Sequence, residues 1–400
     1  MTKLIVRQNR VGPVRGRHPW VFSGALLQIP EGLESGLPVC LVDEQGNFLA
    51  QGYFNSYSQI AVRIWSWNKA EEVNKGFFAE RIKHALEIRG KYVANRDTDS
   101  YRLVNSENDL LPGLIVDKYA DYLSIQFHTR GIEFWKKDIV DALVEIIKPK
   151  GIFERSDVRH REKENNKPGS TGALYGEIPE KIKILENGLK FWVDVQGGQK
   201  TGFFLDQRDK RQALVKYVKD KTVLNCFSYT GGFSVYALAG GANKAVSVDA
   251  SEPALVLAEE NIKLNKFSAN EAEFVCADVM DYLNGLLNKD PELNQEKFDV
   301  IILDPPAFIK DRHKIKEGIQ GYRRVNELAL RILPPGGILV SASCSAHLSL
   351  IDFRYMLTEA AGRAVRTLQI LETFTHGIDH PELVAFAEGE YLKCVFAIIN

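Results

Sequence analysis

From about residue 196 onward the chain alternates short apolar runs with longer amphipathic ones, and this alternation constrains the fold more than any other feature. Repeated strand–helix units are the mark of a doubly wound α/β sheet. The pattern predicts strands at Thr222–Cys226, Ala245–Asp249, Ala272–Cys276, Phe298–Leu303, Gly337–Ser343, Val365–Ile370 and Tyr391–Ile399, with helices between most of them. Ser251 is placed to cap a helix over Glu252–Asn265. In such sheets ligands lie beyond the carboxyl ends of the strands, so the residues that follow each strand form the candidate site.

At 400 residues the chain is too long for one core. Residues 1–75 read as a β-rich module, with runs Leu37–Asp43, Phe48–Tyr53 and Gln59–Trp65 between turn residues. Residues 76–195 read as an α+β segment. A helix begins near Phe77 and ends near Gly90, Tyr122–Phe127 is a strand, Phe134–Ile147 a helix and Gly188–Val195 a strand. The charged, glycine-rich stretch Arg159–Gly172 reads as a loop. Residues 196–400 form the doubly wound domain.

The formal net charge is −1, so nothing draws the whole chain toward nucleic acid. The charge is uneven, however. The first seventeen residues hold Lys3, Arg7, Arg10, Arg15 and Arg17 and no acid. A solvated basic face explains such a run as well as a phosphate-contacting patch does. Five scattered cysteines, Cys40, Cys226, Cys276, Cys344 and Cys394, show no zinc-ligand spacing; no metal is expected, and a reducing cytoplasm is. The uncharged stretches Thr222–Asn243 and Ile332–Ile351 carry polar groups and breakers, which exclude membrane spans.

The strand ends carry an ordered series. After the first comes Phe227-Ser228-Tyr229-Thr230-Gly231-Gly232, where paired glycines let backbone pass close to a ligand. After the second comes Asp249, suited to ribose hydroxyls. Asp278 follows the third and Asp304-Pro305-Pro306-Ala307-Phe308 the fourth. A glycine pair alone is only a tight turn. The full series is specific, and the absence of G-x-G-x-x-G argues against nicotinamide binding. Upstream, Gly198–Arg208 reads as a cofactor lid rather than a linker.

The acid-after-strand series resembles the class I S-adenosylmethionine-dependent methyltransferases. Further blocks resemble one group within them, the three-domain bacterial 23S rRNA 5-methylcytosine methyltransferases. Gly16-Arg17-His18-Pro19-Trp20-Val21-Phe22-Ser23-Gly24 looks like the start of their RNA-binding PUA domain, and Glu107–Asp117 looks like their central domain. Gly202–Arg208, Asn225–Gly232, Leu303–Pro306 and Ser343-Cys344-Ser345 look like their catalytic domain. The match runs nearly end to end. It implies a seven-stranded methyltransferase domain and S-adenosyl-L-methionine as cofactor. Phe204, Gln207, Arg208, Phe227, Ser228, Tyr229, Thr230, Gly231, Gly232, Asp249, Ala250, Ser251, Asp278, Val279 and Asp304 would hold it. The implied partner is 23S rRNA or a large-subunit precursor, contacted by Arg7, Arg10, Arg15 and Arg17, with no membrane. A homodimer is an assembly the resemblance allows.

C5 of cytosine is a poor nucleophile until a thiolate adds to C6. The chemistry needs a cysteine near the transferred methyl and a group to steady the base at N3. Cys344, between Ser343 and Ser345 at the fifth strand end, and Asp304, at the fourth, are the candidate catalytic pair; the strands should be neighbours, about 5 Å apart. Cys226, Cys276 and Cys394 read as buried hydrophobes. Many related enzymes carry a second cysteine where Ala307 stands, which leaves the C5 proton acceptor unidentified. A 5-methyluridine methyltransferase would be expected to carry an arginine there, and an exocyclic-amine methyltransferase an aromatic. A non-catalytic RNA-binding assembly factor is the rival of another class, and Cys344 beside an intact cofactor loop argues against it.

Overall fold

The computed structural model describes residues 1–156, 171–288 and 297–400. The chain divides into two compact units, the first comprising residues 1–184, 193–205 and 378–389, and the second residues 185–192, 206–377 and 390–400.

The first unit contains two five-stranded sheets. One runs Thr2–Ile5, Pro38–Val42, Phe48–Phe54, Ile60–Ser66, Trp20–Phe22 in spatial order, antiparallel except for the parallel pair at its start. Leu4, Val39, Leu41, Val62 and Ile64 fill its core. The other runs Gly172–Gly176, Gly151–Glu154, Tyr122–Phe127, Leu114–Tyr119, Tyr101–Asn105. A helix over Lys75–Tyr92 buries Phe77, Phe78, Ile82 and Ala85 in the core of this second sheet. The helix expected over Phe134–Ile147 is broken at Trp135 into Arg130–Phe134 and Lys136–Ile147. Most of the loop expected over Arg159–Gly172 lies outside the described residues; its last residue, Gly172, opens a strand.

Strand Tyr101–Asn105 was invisible to pattern because Arg102 interrupts it. The guanidinium is held by both oxygens of the buried Asp117, at 2.6 and 3.0 Å, so a charge sits inside a strand without orphaning. Hairpin Ile182–Glu186/Leu189–Val193 turns on Asn187-Gly188, both at positive φ (50° and 80°). That is the two-residue geometry that matches strand twist and favours Asn-Gly.

The second unit is built on a seven-stranded sheet in the order Ala272–Cys276, Lys244–Asp249, Thr222–Cys226, Val300–Leu303, Ile338–Ser343, Lys393–Ile399, Leu368–Phe374. The first five are parallel; Lys393–Ile399 runs antiparallel to both its neighbours. Chain order reverses between Thr222–Cys226 and Val300–Leu303, the switch point where such sheets bind ligands. The expected strand Val365–Ile370 is displaced to Leu368–Phe374. Val365 instead closes the preceding helix, Leu350–Ala364, in a left-handed conformation (φ 55°). Ser251 precedes the helix Glu252–Leu264, but its side chain makes no capping bond.

Among the described residues no helix is long and apolar enough to cross a membrane, and no cluster of three His, Cys, Asp or Glu is placed to hold a metal.

Candidate active site

The loop after strand Thr222–Cys226 is wound tightly. Phe227, Tyr229 and Gly231 all have positive φ, 58°, 47° and 73°. At Gly231 the requirement is also steric, since an added Cβ would lie 2.9 Å from the Ala258 Cβ. The Ser228 amide donates to the Val248 carbonyl at 3.0 Å, and Asn261 Nδ2 donates to the Thr230 carbonyl at 3.0 Å. Helix Gly232–Ala239 begins directly behind.

Asp249 ends the neighbouring strand and accepts from two backbone amides, Tyr229 on one oxygen (2.8 Å) and Ser251 on the other (2.9 Å). A carboxylate oxygen can accept more than one bond, so both retain capacity for a ligand hydroxyl. Asp278 caps the helix Val279–Asn288 through one oxygen, which accepts from the Met280 and Asp281 amides at 2.8 and 3.1 Å. Its residue is exposed. Strand register sets Asp249 against Cys276, and the Ala277 amide donates to the Asp249 carbonyl, so the second and third strand ends adjoin. Ala250 is exposed, Ser251 half-buried and Val279 buried.

The residues fit a nucleoside-like cofactor. Among the described residues, the buried Ser228 hydroxyl has no hydrogen-bond partner, and neither has Gln207 Oε1. Burying polar atoms unsatisfied is costly unless something completes them. Both stand beside the loop and the acids just described: Ser228 within the loop, Gln207 through Asp304, whose Oδ1 accepts from its Nε2 at 2.9 Å. Arg208 is buried at the start of helix Arg208–Leu214. Phe204 belongs to the first unit, where the Lys200 ammonium stands 4.6 Å from its ring.

Leu303 pairs with Cys226 on one side and with Ser341 on the other, so Asp304 emerges between the Phe227 loop and the end of strand Ile338–Ser343. Cys344 lies one residue past that end. It is half-buried, with Sγ 3.8 Å from the Pro305 carbonyl. Asp304 and Cys344 are thus brought to one place. Cys226 and Cys394 are fully buried, and burial pushes both thiols well above their ordinary range. Cys276, expected to be buried too, is exposed: it ends the outermost strand, where no further strand covers it, and its Sγ is 3.7 Å from the Ala250 carbonyl.

Three residues near the strand ends that carry Asp304 and Cys344 gave no signal as a motif. Tyr322, buried on helix Ile315–Ile332, shares a 2.8 Å hydrogen bond with the Ser345 hydroxyl and accepts from the Phe308 amide at 3.3 Å. The same Ser345 oxygen accepts from the Ile309 amide at 3.2 Å. Burial, the largest influence, raises the Tyr322 phenol above its usual range. Lys393, 1% exposed, donates to the Ser345 carbonyl at 3.2 Å. Lys210 is buried on helix Arg208–Leu214, donates to the Asp206 carbonyl and is lowered by burial. Asp206 in turn accepts from the Tyr391 hydroxyl at 2.6 Å. The one available clue was a charge inside an apolar run: Lys393 interrupts Leu392–Ile399.

In the first unit Arg7, Arg10, Arg15 and Arg17 are all exposed. Arg7 Nε donates to the Leu26 carbonyl at 3.1 Å, Arg15 approaches Asp43 at 3.4 Å, and Arg17 lies over the Trp67 ring at 5.3 Å.

The sequence profile of an S-adenosylmethionine-dependent methyltransferase family matches residues 146–394, and that of a PUA-like domain matches residues 4–67. The chain is 41% identical over 393 residues to the ribosomal RNA large subunit methyltransferase I of Enterobacter sp. (strain 638), covering 98% of each. With the enzyme of that name from Aliivibrio fischeri (strain MJ11) the identity is 42% over 391 residues, 98% of this chain and 97% of the other. A crystal structure described as that of a proposed methyltransferase in complex with SAH superposes over 100% of both chains, with a TM-score of 0.86 and 25% identity.

Proposed function

The chain belongs to the ribosomal RNA large-subunit methyltransferase I family of S-adenosylmethionine-dependent methyltransferases, and from that premise we propose that it forms 5-methylcytosine in 23S rRNA through a covalent bond between Cys344 and C6 of the base. The observation that carries this reading is the placement of Cys344. It is the half-buried thiol one residue past a parallel strand, in contact with the Asp304-Pro305-Pro306 turn.

The cofactor is S-adenosyl-L-methionine, and when bound it supplies a sulfonium methyl group to C5 and departs as S-adenosylhomocysteine. Gly231, Gly232 and the Ser228 hydroxyl would line its methionine end, Asp249 its ribose and Asp278 its adenine amino group, with Ala250, Ser251 and Val279 alongside. Gln207 and Arg208 would lie beside it, and Phe204 is the further residue that the family resemblance assigns to it. The Cys344 thiolate adds to C6, and the electron pair of the C5–C6 double bond becomes available at C5. Asp304, oriented by Gln207, would steady the base at N3 by sharing a proton with it, since N3 of cytosine and a carboxylate are both acceptors. After methylation a base takes the C5 proton, the double bond re-forms, and the C6–S bond breaks to return the thiolate.

Residues 1–75, with Arg7, Arg10, Arg15 and Arg17, would bind rRNA or a large-subunit precursor. Residues 76–195 would connect this module to the catalytic part at 196–400. A cytoplasmic location and a homodimer complete the reading.

The test is a trapping experiment. RNA carrying 5-fluorocytosine has no C5 proton to lose, so the wild-type protein should form a denaturation-resistant adduct with it. Cys344→Ser should bind cofactor and RNA but form no adduct and lose turnover by at least about a thousandfold. Cys226→Ser should still form it. An adduct mapping to another cysteine, or near-normal turnover in Cys344→Ser, would remove Cys344 from the reaction; trapping on 5-fluorouridine alone would point to a uridine substrate.

A further inference from the structure

Asn261 is a fully buried amide on helix Glu252–Leu264 that the proposed steps do not use. Its two ends answer different segments of the chain. Oδ1 accepts from the Trp192 amide at 2.7 Å, and Nδ2 donates to the Thr230 carbonyl at 3.0 Å. The first partner lies in the hairpin strand Leu189–Val193, the second in the loop Phe227–Gly232. The partners fix the orientation of the amide, because a backbone N–H needs its oxygen and a carbonyl needs its nitrogen.

One helical turn further on, Asn265 offers a comparison. Its Oδ1 accepts from the Lys190 amide at 2.9 Å, and its Nδ2 donates to the Lys190 carbonyl at 2.7 Å and to the Asn261 carbonyl of its own helix at 2.8 Å. The two asparagines thus take up one edge of strand Leu189–Val193, which belongs to a two-stranded sheet and would otherwise leave that edge open. Asn265 turns both ends of its amide to that strand. Asn261 gives the strand only its oxygen, and its nitrogen goes to the loop. A staple for the hairpin alone would not need that second bond.

The loop bond falls at a sensitive place. The Thr230 carbonyl and the Gly231 amide belong to one planar peptide. Asn261 holds the carbonyl, and the amide donates to the Ser228 carbonyl at 2.9 Å. Ala258, one turn before Asn261, stands against Gly231 and leaves no room for a side chain there. The same helix follows Ser251, whose amide donates to Asp249 at 2.9 Å. We propose that Asn261 is a positioning residue for the cofactor: it sets the Thr230–Gly231 peptide plane on which Ser228 and Gly231 depend, and it joins that plane to the hairpin. This rests on the reading of Phe227–Gly232 as the cofactor loop.

Calorimetric titration of the full chain with S-adenosylmethionine tests it. Asn261→Leu removes both ends of the amide at similar volume and should weaken binding about tenfold. Asn265→Leu breaks bonds to the hairpin alone and should leave affinity within about twofold of wild type, even where both variants lower Tm alike. Wild-type affinity in Asn261→Leu, or equal losses in the two variants, overturns the proposal. A second measurement needs no variant to fold. S-adenosylhomocysteine added to the wild-type protein should slow hydrogen exchange, read amide by amide, more at Trp192 than at Lys190, because only Trp192 is joined to the loop through Asn261. A slowing no larger at Trp192 than at Lys190 also overturns the proposal. If the ligand slows no amide within Phe227–Gly232, the reading of that loop as the cofactor site fails, and the role of Asn261 falls with it.

Discussion

The two sides of the large sheet hold their polar groups in opposite ways. On the side proposed for the cofactor, Asp249 and Asp278 are fixed by backbone amides, from the loop beside them or from residues two or three positions on. On the side proposed for the base, the holding groups are side chains from remote segments. Gln207 orients Asp304 across 97 positions, Lys393 reaches Ser345 across 48, and Tyr322 reaches the same residue across 23. Backbone amides are lost only on substitution by proline, so the first arrangement tolerates many sequences. The second depends on a few side chains, each of which can be lost on its own.

That difference is open to direct attack, beginning with the charge of Asp304. Asp304→Asn keeps an oxygen for Gln207 but removes the carboxylate, and turnover should fall on the order of a hundredfold. Cofactor affinity, measured calorimetrically, should change far less; equal losses in both would merge the two sides into one site. On the cofactor side, Asp249→Ala removes charge-assisted hydrogen bonds and should cost roughly 1.5–3 kcal/mol of S-adenosylmethionine affinity. Because it also releases the Tyr229 and Ser251 amides, a folded variant with unchanged affinity would show that those bonds serve only the loop. The smallest effect is expected at Tyr322→Phe, which removes a hydroxyl shared by Ser345 and the Phe308 amide. It should cost about 1 kcal/mol in stability by denaturant titration and slow turnover several-fold with cofactor affinity intact. A loss of affinity there would contradict the separation.

The same contrast explains what could be read from the sequence. The doubly wound sheet was legible because its strands and turns are written locally, and the strand-end acids were legible because each sits beside the loop that holds it. The strand expected at Val365–Ile370 begins three residues later and ends four later, since only the packed structure shows Val365 finishing a helix in a left-handed turn. Strand Tyr101–Asn105 was missed because Arg102 looks solvent-facing until Asp117 is seen opposite. General preference favours burial of Cys276, whereas its exposure is decided by its position on the outermost strand. Tyr322 and Lys393 had no motif at all. Their contacts come from tertiary meetings that spacing along the chain cannot encode.

The double tether of Asp249 also bears on how fast the protein captures its methyl donor. With one oxygen gripping the Tyr229 amide and the other the Ser251 amide, and with no room for a side chain at Gly231 beside Ala258, the loop Phe227–Gly232 is held in shape by the chain's own bonds. No ordering entropy is then charged to the encounter. Capture on this face should be a single bimolecular event whose observed rate climbs in proportion to ligand concentration, without the plateau that a slow prior rearrangement imposes.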